Sequence, residues 1–311
     1  MFGIGLELTF IPDLPRAKEF ADKAVAQKVA NRLLKRLTPL VPQLLENHID
    51  LHVKVDPFRS GDDGEYNAWI IEVTNGDFPT RSFQWRSKRF VALIQRVFNE
   101  ARKLGLYPRI RRRGVHHPSG GLHKHVGISD LFPNDHLFLS RLARFENNLY
   151  TDLANRPYIR WLFAEWFDSG TNSAATFTES DYKGCTMKEL GKLAYSYGRT
   201  QSSIAARYSY RYKPAYPTYE FRFFDSVDSA KEIARNVRFL EAWVAHHVNK
   251  ATNEVDVPFT LTLPQFKALK EEKHAWEIIS TFLRELGLDP ENFRKPFEEN
   301  YVLRMQHGEM S

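Results

Sequence analysis

Residues 120 to 127 read Gly-Gly-Leu-His-Lys-His-Val-Gly, with two histidines one residue apart inside an apolar alternation bounded by glycine. Side chains of an extended strand alternate between its faces, so His123 and His125 share one face and Lys124 takes the other. The same parity recurs in three other apolar runs. Glu7 and Thr9 share a face in GLELTF, Glu72 and Thr74 in WIIEVT, and Glu220 and Arg222 in TYEFRFF. Burying carboxylates, imidazoles and a guanidinium without compensation is costly, so these faces line a wet cavity, pair with one another, or hold a metal ion. A metal site walled by a sheet accounts for all four runs at once.

The length of 311 residues suits one large domain with an appendage, which we place at residues 1–254 and 255–311. Hydrophobic residues make up 42% of the chain, with 23 Phe, 13 Tyr and 6 Trp, enough for a sizeable core and too many for a disordered chain. A net charge of +6 suits a polyanionic ligand such as a nucleotide, but is small for a nucleic-acid binder of this length. The single Cys185 excludes an intramolecular disulfide and a multi-cysteine zinc site, and favours a reducing, cytoplasmic setting. No apolar run reaches the roughly 18 residues of a membrane span, and no charged start followed by an apolar run marks a secretion signal.

Along the chain, strands are expected over residues 2–10, 49–56, 67–74, 120–127, 204–213 and 218–224. Helices are expected from Ala17 to about Leu45, broken by Pro39 and Pro42, and from Ser82 to Leu104. A largely helical stretch over 134–168 is divided by Pro157, and further helices follow over 188–198 and 225–249. Val25, Val29, Leu33, Leu34 and Leu37 should form the buried face of the first helix. In the last, Ile233, Val237, Leu240 and Val244 should do so. Tyr208, Tyr210 and Tyr212, at period two, read as one packed strand face. The arginines at 109 and 111–113, ahead of a glycine-containing loop, read either as a phosphate cover, with Arg111 and Arg113 binding nucleotide, or as a solvated strand edge.

Taken in order, these strands resemble the carboxylate-amine ligase (amidoligase) family of the glutamine synthetase-like superfamily. Gly5-Leu6-Glu7 matches the start of the family's Gly-x-Glu-x-Glu strand, although Thr9 stands where the second glutamate would be. Asp56 and Glu72 match an Asp-bearing strand and the Glu of its partner. Residues 120–127 match GGLHxHVG, and Thr218, Glu220 and Arg222 match a closing Thr-x-Glu-x-Arg strand. The resemblance covers roughly the first 250 residues. It implies an α+β fold in which a curved, mainly antiparallel sheet lines the active site and helices pack on its outer face. The implied activity is ATP-dependent amide formation, in which a carboxylate substrate, an amino acid or peptide, passes through an acyl phosphate to an amine substrate. Carried over, Glu7, His123 and Glu220 would hold Mg²⁺ or Mn²⁺ on the nucleotide phosphates. Glu72 would serve a second metal site, and His125 and Arg222 would contact the phosphoryl group.

The chemistry of those residue types agrees with these roles. Phosphoryl transfer to a carboxylate brings anions together and calls for divalent cations and a guanidinium more than for a nucleophile. Glutamate oxygens suit Mg²⁺ or Mn²⁺, and added imidazoles favour Mn²⁺. Thr9 leaves three readings open: a single metal, a substitute ligand such as Asp77, or an inactive relative. Two other functions fit the same residues. One is a zinc hydrolase built on His123 and His125 with a third ligand from His52, His116 or His117. The other is a nucleic-acid-binding protein, which leaves the buried acidic strands unexplained. Glu220 and Arg222 could also be a plain ion pair between same-face neighbours.

Overall fold

The computed structural model describes residues 4–12, 14–40, 52–59, 67–74, 88–108, 122–163, 176–199, 204–208, 217–224, 227–260 and 272–306. The chain is a mixed α+β protein that divides into two compact units. The first comprises Met1–Gly127 with Phe224–Val237, the second Ile128–Phe223 with Arg238–Ser311.

The first unit is built around β1 (Ile4–Pro12), eight of whose nine residues are buried. Strands β2 (His52–Arg59), β3 (Asn67–Thr74), β4 (Leu106–Pro108) and β5 (His123–Gly127) complete its sheet. The order is β2-β3-β1-β5, with β4 beside the far end of β1, and the pairings of β1 with β3, β4 and β5 and of β2 with β3 are antiparallel. Ile4, Leu6, Leu8 and Phe10 point to one face of β1, where Phe10 meets Phe98 edge to face with ring centroids 6.0 Å apart. Phe98 belongs to α2 (Lys88–Arg102), which with α1 (Lys23–Leu37) belongs to this unit. The odd-numbered positions of β1, Glu7 and Thr9, therefore point to the opposite face.

Asp22 caps α1 by accepting from the Ala24 amide at 2.8 Å. The helix buries Ala26, Val29, Ala30, Leu33 and Leu37. Leu34, expected inside, is exposed, because it lies about 100° around the helix from Leu33 and so leaves the buried stripe. The helix ends at Leu37, and Pro39 lies in the 3₁₀ turn Thr38–Leu40 that follows.

In the second unit β6 (Ile204–Ala206) and β7 (Thr218–Phe221) form an antiparallel pair. Its helices are α3 (Phe138–Asn155), α4 (Glu179–Tyr182), α5 (Met187–Ser196), the later part of α6 (Ala230–Thr252), α7 (Glu272–Glu285) and α8 (Glu291–Gln306). Pro157 does end the α3 run, opening the 3₁₀ segment Pro157–Phe163. On α6, Ile233, Val237, Leu240 and Val244 are all buried, as their spacing requires. The expected boundary at 254/255 is not where the compact units divide. Asn148 and Asn155, two turns apart on α3, each grip the main chain that follows α6. Asn148 donates to the Val255 carbonyl at 2.8 Å and accepts from the Val257 amide at 2.8 Å. Asn155 donates to the Pro258 carbonyl and accepts from the Thr260 amide, both at 2.7 Å.

Polar groups hold this unit's interior. Glu146, fully buried on α3, accepts from Arg199 Nη1 at 2.8 Å, from the Tyr219 hydroxyl at 2.7 Å and from the Tyr208 hydroxyl. Burial and the neighbouring carboxylate push both phenols well up, so they remain donors. The Arg199 guanidinium lies over Phe177 and Tyr150, 4.0 and 4.6 Å from the ring centroids. Tyr208 is therefore one end of a hydrogen-bonded cluster. The strand expected over 204–213 is described only for Ile204–Ala206, and Tyr210 and Tyr212 lie outside the described residues. A few residues along α3, Asp152 accepts from Trp243 Nε1 at 2.6 Å and from Arg156, with His247 Nε2 at 3.1 Å. Removing one partner of a buried ion pair strands the other, at about 3–5 kcal/mol. Glu146→Ala should lower the unfolding free energy obtained by urea titration by an amount in that range, and a surface control such as Glu298→Ala should leave it within about 0.5 kcal/mol.

Candidate metal centre

The face of the first unit's sheet opposite Leu6 and Leu8 carries two cross-strand rows. In one, β2, β3, β1 and β5 contribute His52, Thr74, Glu7 and His123 side by side. In the next, β2, β3 and β1 contribute Lys54, Glu72 and Thr9. His125 pairs with Gly5, one row beyond Glu7. The alternation of three strands, β1, β3 and β5, thus gathers Glu7, Glu72, His123 and His125, all expected from sequence, onto one face.

Glu7 is the centre of the group. Its Oε1 lies 3.5 Å from His123 Nδ1 and its Oε2 lies 3.6 Å from His125 Nε2, one imidazole for each carboxylate oxygen. Those separations exceed the 2.7–3.2 Å of a good hydrogen bond. Each separation, taken by itself, fits a pair of ligand atoms on one ion, since atoms about 2.1 Å from a shared tetrahedral metal stand about 3.4 Å apart. Burial pushes the Glu7 carboxyl up, but the two imidazoles together outweigh it and hold the group well below the ordinary carboxylate range. Glu72 is shifted the other way. Burial, then the charge on Glu7, raise it to about 8 against the pull of Lys54, whose Nζ is 2.6 Å from Oε2. One carboxylate and two imidazoles form a nitrogen and oxygen donor set that suits Mn²⁺ or Zn²⁺.

Glu220 and Arg222, the remaining expected members, stand on and just after β7 in the second unit. Glu220 is buried and receives Arg207 Nε, and Arg222 Nε lies 3.7 Å from its other oxygen. The ion pair between same-face neighbours is present, but Arg207 is the closer partner and was not singled out from sequence. The cue lay in Ile204–Ala206 pairing with β7, which sets Arg207 beside Thr218; its amide donates to the Thr218 carbonyl at 2.8 Å. Arg111, Arg113, His116, His117 and Asp77 lie outside the described residues, as does the side chain of Asp56. His52 shares Glu7's row, but Thr74 stands between them, so two strand spacings, about 10 Å, separate it from Glu7.

No protein-family model and no curated relative matches the sequence. Among solved structures, similarity is found to 3-hydroxy-3-methylglutaryl-CoA reductases of Streptococcus pneumoniae. A class II enzyme bound to NADPH is 12% identical over 81% of this chain and 70% of its own, with a TM-score of 0.25. A second is 10% identical over 80% and 70%, with a TM-score of 0.26. Scores this low carry no argument about fold or activity.

Lys124 went unremarked in the sequence beyond its facing away from the histidines. It is fully buried on the helix-covered face, its Nζ 3.1 Å from the centroid of the Phe224 ring and without a hydrogen-bond acceptor among the described residues. A ring face offers a cation about 2 kcal/mol, far less than the desolvation of an ammonium. Burial, with Arg235 nearby, therefore pushes the amine well below its ordinary value. The unfolded chain binds a proton that the folded chain does not. Stability is accordingly lost as pH falls below about 10.5, by up to about 1.4 kcal/mol per pH unit, until the folded-state value is reached. Lys124→Met should raise the melting temperature at pH 7 and flatten its rise between pH 7 and 10; calorimetry at several pH values reads both.

Proposed function

We propose that this chain is an ATP-dependent carboxylate-amine ligase of the glutamine synthetase-like type, with a divalent cation held at Glu7, His123 and His125. The observation that carries the reading is Glu7 with an imidazole near each carboxylate oxygen, on the polar face of an antiparallel sheet. Support for the fold is the sheet itself, with Glu7, Glu72, His123 and His125 on one face and Phe10 meeting Phe98 of α2 on the other. Glu220 and Arg222 enter this reading on the resemblance alone, as do Arg111 and Arg113 as nucleotide contacts.

When bound, the cation and ATP would supply phosphoryl transfer to a carboxylate substrate, and an amine would displace the phosphate to give the amide. The chain's own residues bind and orient. Glu7 supplies the negative charge that draws a cation to this face, and the imidazoles of His123 and His125 fix where it sits. Rigid strands set their spacing, so little reorganisation accompanies binding. Two imidazoles with one carboxylate favour Mn²⁺ over Mg²⁺, which prefers an all-oxygen shell. Arg222 offers a planar fork suited to phosphate oxygens. A single cysteine, Cys185, accords with a reducing, cytoplasmic setting, and no helix among the described residues is long and apolar enough to cross a membrane.

The same donor set also suits zinc, which favours a hydrolase as the second reading. Calorimetry separates the two. ATP should bind the wild type with Mn²⁺ and not in EDTA. Glu7→Gln, which keeps the size and removes the charge, should weaken Mn²⁺ on the order of 100-fold and abolish the metal-dependent ATP signal. Tight zinc with no nucleotide binding under any metal condition would reject the ligase reading in favour of the hydrolase.

A further inference from the structure

The two carboxylates on the polar face have different surroundings. Glu7 faces two imidazoles, which bring donor atoms and no fixed charge when neutral, and it shares a hydrogen bond with the Glu72 carboxyl. Glu72, one row away and so about 7 Å along the strands, faces the Lys54 ammonium at 2.6 Å. Across from Glu72 on β1 stands Thr9, buried and without charge, so among the described residues Glu72 is the single carboxylate of its row. The Glu7 row thus offers a carboxylate with imidazole neighbours, whereas the carboxyl of the next row already has the Lys54 ammonium against it. A divalent cation entering the Glu72 row would meet a like charge and would find one carboxylate already engaged.

The geometry points to Lys54 as a built-in cation of the site. It holds the place at Glu72 that a second divalent ion would otherwise take, restricts this face to one ion, and presents an ammonium one row from that ion to an anionic group of the substrate, a carboxylate under the ligase reading. This rests on the metal reading given above. Burial differs across the pair, the Glu72 side chain being 7% exposed and that of Lys54 51% exposed. The carboxylate is therefore the fixed member, and the lysine reaches to it from the solvent side on a flexible stem.

The test counts bound Mn²⁺, added alone, by equilibrium dialysis on the intact chain, with circular dichroism confirming that each variant is folded. Wild type and Lys54→Arg should each bind one Mn²⁺. The double variant Thr9→Glu, Lys54→Met supplies a second carboxylate and removes the ammonium, and should bind two. A wild type that binds two ions overturns the inference, whatever the variants do. So does a folded double variant that still binds one. A wild type that binds none overturns the metal reading itself, and with it the role of Lys54, a result distinct from either of the others.

Discussion

A carboxylate in the middle of a strand buried on both faces is the constraint from which the first unit follows. Glu7 cannot turn to solvent at a chain end, because β1 is flanked by β3 on one side and by β5 and β4 on the other. Its neighbours Leu6 and Leu8 commit one face to the apolar core, and the period of two then commits Glu7 and Thr9 to the opposite, polar face. A one-residue slip of register would send a carboxylate into the apolar layer and a leucine out of it. The histidines of β5 and the glutamate of β3 stand where they do because their strands pair with β1 in that register. The same interaction that fixes the fold thereby assembles the donor set.

Much of this could be read from the chain, since strand parity is a local property. Residues 67–74 form the strand that their alternation requires, and His123 and His125 share a face with Glu7 as their positions imply. What escaped was whatever depended on packing between distant segments. Lys54 lies in an alternating run that reads as an ordinary half-exposed strand, and only the pairing of β2 with β3 reveals that it faces Glu72. Leu34 belongs to the apolar set of α1 by composition, yet its angle takes it out of the stripe. For Lys124 the alternation gives only the face opposite the histidines, and the Phe224 ring that covers it lies a hundred residues away.

The second unit shows the same limit for polar residues. Glu146 sits in a helix of apolar and polar residues that looks amphipathic, and nothing nearby in sequence marks it as a buried acceptor. Its donors come from Arg199, Tyr208 and Tyr219, brought together by the end of α5, the β6 turn and β7. Tyr208 reads from its spacing as part of a packed strand face, whereas its hydroxyl and that of Tyr219 are what hold Glu146. Asp152 and its partners repeat the arrangement two turns later. These clusters anchor α3 and with it the asparagines that hold residues 255–260. The interior of this unit is thus specified by hydrogen-bond complementarity as much as by apolar volume.

The account stands on Glu7, His123 and His125 acting together as ligands of one divalent ion. Pulsed electron paramagnetic resonance of the Mn²⁺-loaded protein tests this most directly, because nitrogen bonded to the ion imposes its own modulation on the echo. Two directly bound imidazole nitrogens, with one lost in His123→Ala and the other in His125→Ala, are the predicted result. An echo modulated by water protons alone, unchanged in both variants, would contradict it.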